Sequence, residues 1–516
     1  MRLIRKGLLA LVALVAMSGL GSGIPAFAAR HGEGAGAAKH GDAGSDPLSR
    51  GLAAVRAKDF ATAAPLLQAA CDKSVAEGCS QLGFLYEDGT GVAKDEARAA
   101  VLYVKACDLG SVIGCTNAGW SIQRGAGVAK DASRAAGYFG KACDGDELQG
   151  CVNLGILYST GNGVATDKAR AAQLFEKACS RNPKLGCFSL AGLLSAGQGV
   201  PQDLARALKL YTQSCDGGQM GGCFGLGKTY EYGRGVTRDY AMAAQFYTQA
   251  CDGGLVMSCT DLGALYSEGK GLIKSEARAA ELFRQACDGN DQTGCANLGQ
   301  AYSRGLGVPR DDARALELAS KACDAKTPFG CAVLGLIYST GKGVAPDKKR
   351  AFDLYSRACD GDDPMGCYNL GVLLTEGVAG PRDPVRAATL FDRACTAGMT
   401  PGCYNLGVSY SQGVGVAVDH VKAVGLYQRS CDEGEQRGCA NLGIAYQFGR
   451  GVPRNPARAL ALYDKACTAG LADGCYNKAT LVKDRATIIA LLRRALVLDP
   501  GFAKARAGLR QMGAKP

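Results

Sequence analysis

From residue 59 onward the apolar and polar positions follow one short pattern that repeats. In Cys79-Ser-Gln-Leu-Gly-Phe-Leu-Tyr86 the apolar residues Leu82, Leu85 and Tyr86 have the spacing of a short helix. Gly89 and Gly91 break it. Asp95 stands where an N-cap belongs, with Glu96 in the first turn. Ala99, Ala100, Leu102, Tyr103 and Ala106 then form a second helical stripe ending at Cys107. Each unit therefore predicts a helix A, a glycine-rich loop, a helix B and a connector to the next helix A.

Comparison among units shows which positions the fold constrains. The Gly83 position is Gly or Ala throughout, with Ala191 and Ala479 as the alanines. Glycine inside a helix costs about 1 kcal/mol of propensity, so its recurrence predicts a close helix crossing. The Gly89 position is Gly in every complete unit, as at Gly161, Gly305 and Gly449, which fits a positive φ at the end of helix A. The Ala99 position is always Ala. Tyrosine recurs at Tyr86, Tyr158, Tyr230, Tyr266, Tyr302, Tyr338, Tyr410 and Tyr446. That stripe reads either as a candidate groove, through Tyr158, Tyr230, Tyr266, Tyr302 and Tyr338, or as packing with a hydroxyl hydrogen bond. Arginine recurs at the Arg98 position, as at Arg134, Arg170, Arg278 and Arg458. It reads either as a basic ladder or as a local partner of the capping Asp that covers apolar surface.

The chain has 516 residues, too many for one ordinary core, so a repeat is the economical solution. Its 24 cysteines argue for an oxidising compartment. The N-terminus agrees: Arg2, Arg5 and Lys6 precede the apolar run 8–17, and Ala26-Phe27-Ala28 reads as a cleavage site. The expected organisation is a signal peptide at 1–28, a disordered lead at 29–46 and a capping hairpin at 47–78. A repeat solenoid follows at 79–483 and a tetratricopeptide-like cap at 484–516. Net charge is +11, or +8 once the leader's three positive residues are removed. That is mild, and no basic cluster with interleaved aromatics points to nucleic acid. No later stretch is apolar enough for a membrane span.

The string from Asn153 through Asn-Leu-Gly-Ile-Leu-Tyr-Ser-Thr-Gly-Asn-Gly-Val to Cys179 resembles the Sel-one-like repeat (SLR) family. The resemblance covers about residues 59 to 483, and the cysteine pairs point to the family's secreted, cysteine-rich branch. It implies an all-α, right-handed α/α superhelical solenoid of twelve 36-residue helix-turn-helix units, resembling tetratricopeptide solenoids. It also implies a scaffold or adaptor that holds protein or peptide ligands in a concave groove, in the periplasm or outside the cell. Some cysteine-rich members carry a penicillin-binding or β-lactamase label. The alternative is therefore a β-lactam-binding or weakly hydrolysing protein acting on cell-wall ligands.

The cysteines fall in twelve pairs: Cys71 and Cys79, Cys107 and Cys115, Cys143 and Cys151, Cys179 and Cys187, Cys215 and Cys223, Cys251 and Cys259, Cys287 and Cys295, Cys323 and Cys331, Cys359 and Cys367, Cys395 and Cys403, Cys431 and Cys439, Cys467 and Cys475. Bridges across eight residues use all 24, whereas bridges across 28 leave Cys71 and Cys475 over, so counting favours the former. Zinc sites space their cysteines by two to four residues, and only His31, His40 and His420 are available to help. Neither metal nor cofactor is expected. A β-lactamase-type serine needs Ser-x-x-Lys on a helix. The string occurs at Ser267–Lys270 and Ser339–Lys342, but it spans the glycine of the loop and has no companion motif. The lone Trp120 reads equally as a surface hot spot or as packing. No catalytic residue is assigned.

Overall fold

The structure is a computed structural model describing residues 46–378 and 380–515. The expected leader, and all but the last residue of the expected lead, lie outside the described residues. Those described form α-helices joined by short loops, with no strand among them. The chain divides into two compact units between Lys274 and Ser275.

The first unit opens with the hairpin Pro47–Arg56 and Phe60–Asp72. Pairs of helix A and helix B follow: Ala76–Asp88 with Glu96–Asp108, Val112–Arg124 with Ala132–Asp144, Leu148–Thr160 with Lys168–Arg181, Cys187–Ala196 with Leu204–Asp216, and Met220–Tyr232 with Tyr240–Asp252. The unit closes on helix A Val256–Glu268. The second unit begins with helix B Glu276–Asp288 and continues through Gln292–Arg304 with Asp312–Asp324, Pro328–Thr340 with Lys348–Asp360, Pro364–Glu376 with Pro384–Thr396, Thr400–Gln412 with His420–Asp432, and Gln436–Phe448 with Pro456–Thr468. It ends with Ala472–Ala479, Arg485–Leu498 and Ala503–Gln511. Within each unit every helix packs on its successor, and several helices A also touch the next helix A. This is an all-α, disulfide-stapled solenoid.

Local chemistry sets each boundary. Asp95, Asp131, Asp167, Asp203, Asp311 and Asp347 take extended backbone and accept a hydrogen bond from the amide three residues on, satisfying one orphan donor of helix B. Ser275 and Asn455 do the same work. Helix A ends on a left-handed glycine, such as Gly89 at φ 71° or Gly161 at 72°. The second loop glycine has a separate reason. A Cβ on Gly91 or Gly127 would strike the backbone that opens the preceding helix B, at Phe60 and at Glu96–Ala97. In the sequence that glycine shows only as a helix breaker.

The glycine inside helix A meets an aromatic ring. A Cβ on Gly83 would lie 2.9 Å from Tyr103, and one on Gly335 2.8 Å from Tyr355. Tyr103, Phe139, Phe175, Tyr247, Tyr355 and Tyr463 are fully buried by this fit. The close crossing is thus between a ring of helix B and a bare patch of helix A.

Twelve disulfides, Cys71–Cys79 to Cys467–Cys475, join the end of one helix B to the first turn of the next helix A. Their Cα atoms stand 4.4 to 4.9 Å apart. Small residues permit that approach: a Cβ on Gly114 would be 2.7 Å from Ala106 Cβ, and one on Gly366 2.5 Å from Ala358 Cβ. A further contact ties neighbouring repeats. Lys177, Arg357, Arg393 and Lys465 donate to the carbonyls of Cys143, Cys323, Cys359 and Cys431 at 2.8, 3.2, 2.6 and 3.0 Å. Those carbonyls lie in the last turn of the preceding helix B, where a cation also suits the dipole.

Candidate functional site

With the frame so constrained, one column on helix A is free to vary. Five residues after its leading cysteine stand, in order, Phe84, Trp120, Ile156, Gly192, Lys228, Ala264, Gln300, Leu336, Val372, Val408 and Ile444. Most of these side chains are partly exposed. The column holds nine residue types in eleven repeats, while Gly89 and Ala99 never change.

The tyrosine stripe lies elsewhere. It stands two residues after this column, roughly 200° around an α-helix. Arg98 is centred 4.4 Å from the Tyr86 ring, Arg170 4.8 Å from Tyr158, Arg314 5.6 Å from Tyr302, Arg350 4.2 Å from Tyr338 and Arg458 4.6 Å from Tyr446. Met242 holds the arginine position of the Tyr230 repeat, and Tyr230 stacks on Phe246 instead, 5.8 Å between centroids. Tyr266 is half-buried in the last turn of its helix. Arginine and tyrosine columns are therefore one feature: a guanidinium of helix B laid on a ring of helix A within the same repeat. The capping Asp does bind this arginine, through its backbone amide.

Two polar clusters interrupt the variable column. Glu87 accepts from the Tyr103 hydroxyl at 2.6 Å and pairs with Arg124 at 2.9 Å. Arg124 also stands 5.7 Å from the Trp120 ring, which meets Phe139 edge-on at 6.5 Å. Trp120 therefore serves packing and surface together. The second cluster centres on Lys228, 2.8 Å from Asp261 and 3.5 Å from Glu231, with the Phe224, Tyr232 and Tyr247 rings within 5.7 Å. Burial works to lower the Lys228 pKa, but Asp261, Tyr232 and Glu231 outweigh it, and the pKa is raised. The Tyr247 hydroxyl donates to Glu231, and burial raises its pKa, helped by Asp261 and Glu231. Asp261 stands where the other repeats mostly carry Asn, so lysine and aspartate answer each other across one junction.

The serine strings sit differently from their sequence reading. Ser267 and Ser339 lie in the last turn of helix A, with Lys270 and Lys342 beyond the glycine. Ser267 donates to the Ala264 carbonyl, while Lys270 pairs with Glu268. Ser339 stands beside Tyr355, while Lys342 donates to the Ser303 carbonyl at 3.0 Å. Neither serine has its lysine as partner, and nothing supports the β-lactamase alternative.

The Sel1 repeat model matches eleven successive segments, at residues 76–111, 112–147, 148–183, 185–219, 222–255, 256–291, 293–326, 328–363, 364–399, 400–435 and 436–471. The chain belongs to the Sel1 repeat family. Among solved structures this Sel1 repeat chain is similar to a protective antigen of uropathogenic Escherichia coli displaying an SLR fold. Identity is 25%, TM-score 0.51, with 87% of this chain and 97% of that one covered. It is also similar to a Sel1 repeat protein of Oxalobacter formigenes, at 23% identity and TM-score 0.37, over 62% of this chain and 91% of that one. Helicobacter pylori cysteine-rich protein B matches at 28% identity and TM-score 0.22, over 26% and 96%. No curated protein matches. Sel1 repeat proteins are generally protein-interaction scaffolds. Twelve disulfides suit an oxidising, non-cytoplasmic environment. Among the described residues no helix is long and apolar enough to cross a membrane.

Proposed function

We propose that this protein is an exported scaffold that binds protein or peptide partners along the variable side of helix A. The observation that carries the reading is the contrast within each repeat: glycines, alanines and bridges hold the frame constant, while the column from Phe84 to Ile444 changes at nearly every step. A stiff frame presenting varied side chains at fixed intervals recognises an extended surface through many dispersed contacts. The groove expected of the family follows this column. The tyrosines Tyr158, Tyr230, Tyr266, Tyr302 and Tyr338 serve behind it, as the joint between helices A and B. The oxidised protein, used as bait in crosslinked envelope material from its native cell, retains a small set of proteins that the reduced and alkylated protein does not. Equal retention by both forms, or retention of glycan alone, defeats the proposal.

A further inference from the structure

The buried tyrosine of helix B finds an acceptor on helix A in three repeats by the same geometry. Tyr103 donates to Glu87, Tyr247 to Glu231 and Tyr463 to Gln447, each acceptor sixteen residues earlier. Tyr211, Tyr355 and Tyr427 instead carry serine at the acceptor position, as Ser195, Ser339 and Ser411. Ser411 and Asn441 stand beside Tyr427, but serine is shorter than glutamate by two carbon–carbon bonds. A cavity of about 230 Å³ opens beside Tyr427, lined also by His420, Ile444 and Arg450. Arg450 leans over Phe448, its guanidinium 5.6 Å from the ring, and has no carboxylate partner among the described residues. Val421, next in the chain to His420, and Phe448, under Arg450, are exposed by 69% and 60%.

We propose that this cavity takes a carboxylate-bearing side chain of a bound partner, filling from outside the place that Glu87 and Glu231 fill from within. The Tyr427 and Ser411 hydroxyls and the Asn441 amide supply donors, and Arg450 supplies the opposite charge. Val421 and Phe448 receive the apolar neighbours of that side chain. The occupant is therefore a glutamate flanked by apolar residues. This deepens the scaffold reading and rests on it only for the source of the carboxylate.

The test follows the Ile444 methyl group by NMR in the full-length oxidised protein while N-acetyl-glutamate α-amide, and separately its glutamine counterpart, is added to tens of millimolar. The glutamate compound shifts Ile444 saturably, and the glutamine compound binds about tenfold more weakly or not at all. Ser411→Glu, which supplies the carboxylate internally, abolishes the shift without lowering thermal stability. Arg450→Ala weakens binding at least about tenfold and stands as the second variant if Ser411→Glu misfolds. No shift in the parent protein, an equal response to both compounds, or a response unchanged in both variants overturns the proposal. None of those results bears on envelope capture, so the two readings fail separately.

Discussion

At the residue scale, the glycines divide by what a methyl group would meet. A Cβ on Gly335 enters the Tyr355 ring, which is fully buried and has nowhere to move. Gly335→Ala is expected to destabilise its repeat by about 1–3 kcal/mol, the usual range for overpacking. Gly137, also inside a helix, faces open space, so Gly137→Ala should stabilise by about 0.5–1 kcal/mol. Amide hydrogen exchange in each repeat measures both; the same sign at both sites would contradict the ring-on-glycine account. Arg350→Ala removes the guanidinium from Tyr338 and should cost about 0.5–1 kcal/mol locally. The sequence showed the recurring glycines, tyrosines and arginines, because each recurs in register. It did not show that Arg98 meets Tyr86, because the two lie on different helices whose relative rotation no spacing records. The second loop glycine was opaque for a similar reason: what crowds it is backbone of the preceding repeat.

At the scale of elements, each junction is held by a bridge, a small-residue contact and, at several of them, a cation on the last carbonyls of helix B. Replacing Cys323 and Cys331 together by serine should cost about 2.5 kcal/mol in the chain-entropy account of a small loop. Exchange should accelerate at that junction and its neighbours and leave distant repeats untouched. Acceleration along the whole chain would show that the bridges do not act junction by junction. The caps add an acid dependence. The amide of Lys422 chiefly holds the Asp419 carboxyl below its ordinary range, with the charge of Lys422 assisting. A depressed folded value means stability present above the ordinary aspartate pKa of 3.8 and lost as pH falls through the folded value. Asp419→Asn should keep a cap yet flatten that acid loss for its repeat in denaturation followed between neutral and acid pH; an unchanged acid profile would remove Asp419 from the account. The helix pattern, caps and loop positions were legible because local spacing encodes them. The start of helix A was not: it begins about a turn before the cysteine, at Ala76 rather than Cys79, in connector residues without a repeated apolar signal.

At the scale of the whole molecule, repeats stabilised by their neighbours have no single folding free energy, and stability is a sum of repeat and junction contributions. The repeat register and the family could be read from the sequence because the cysteine spacing never slips, though the family model matches eleven segments where twelve units were expected. That the tyrosine stripe packs against the arginines of helix B could not be read until the helices were placed. The most direct test of the account inserts a photo-crosslinking residue at one position at a time in the oxidised protein. Leu336 samples the variable side of helix A, and Glu317 the exposed side of the helix B before it. Illumination in the native envelope should trap protein partners from position 336 and few or none from position 317. Trapping from position 317 alone, or equally from both, would contradict the assignment of the variable helix A column as the surface this scaffold uses.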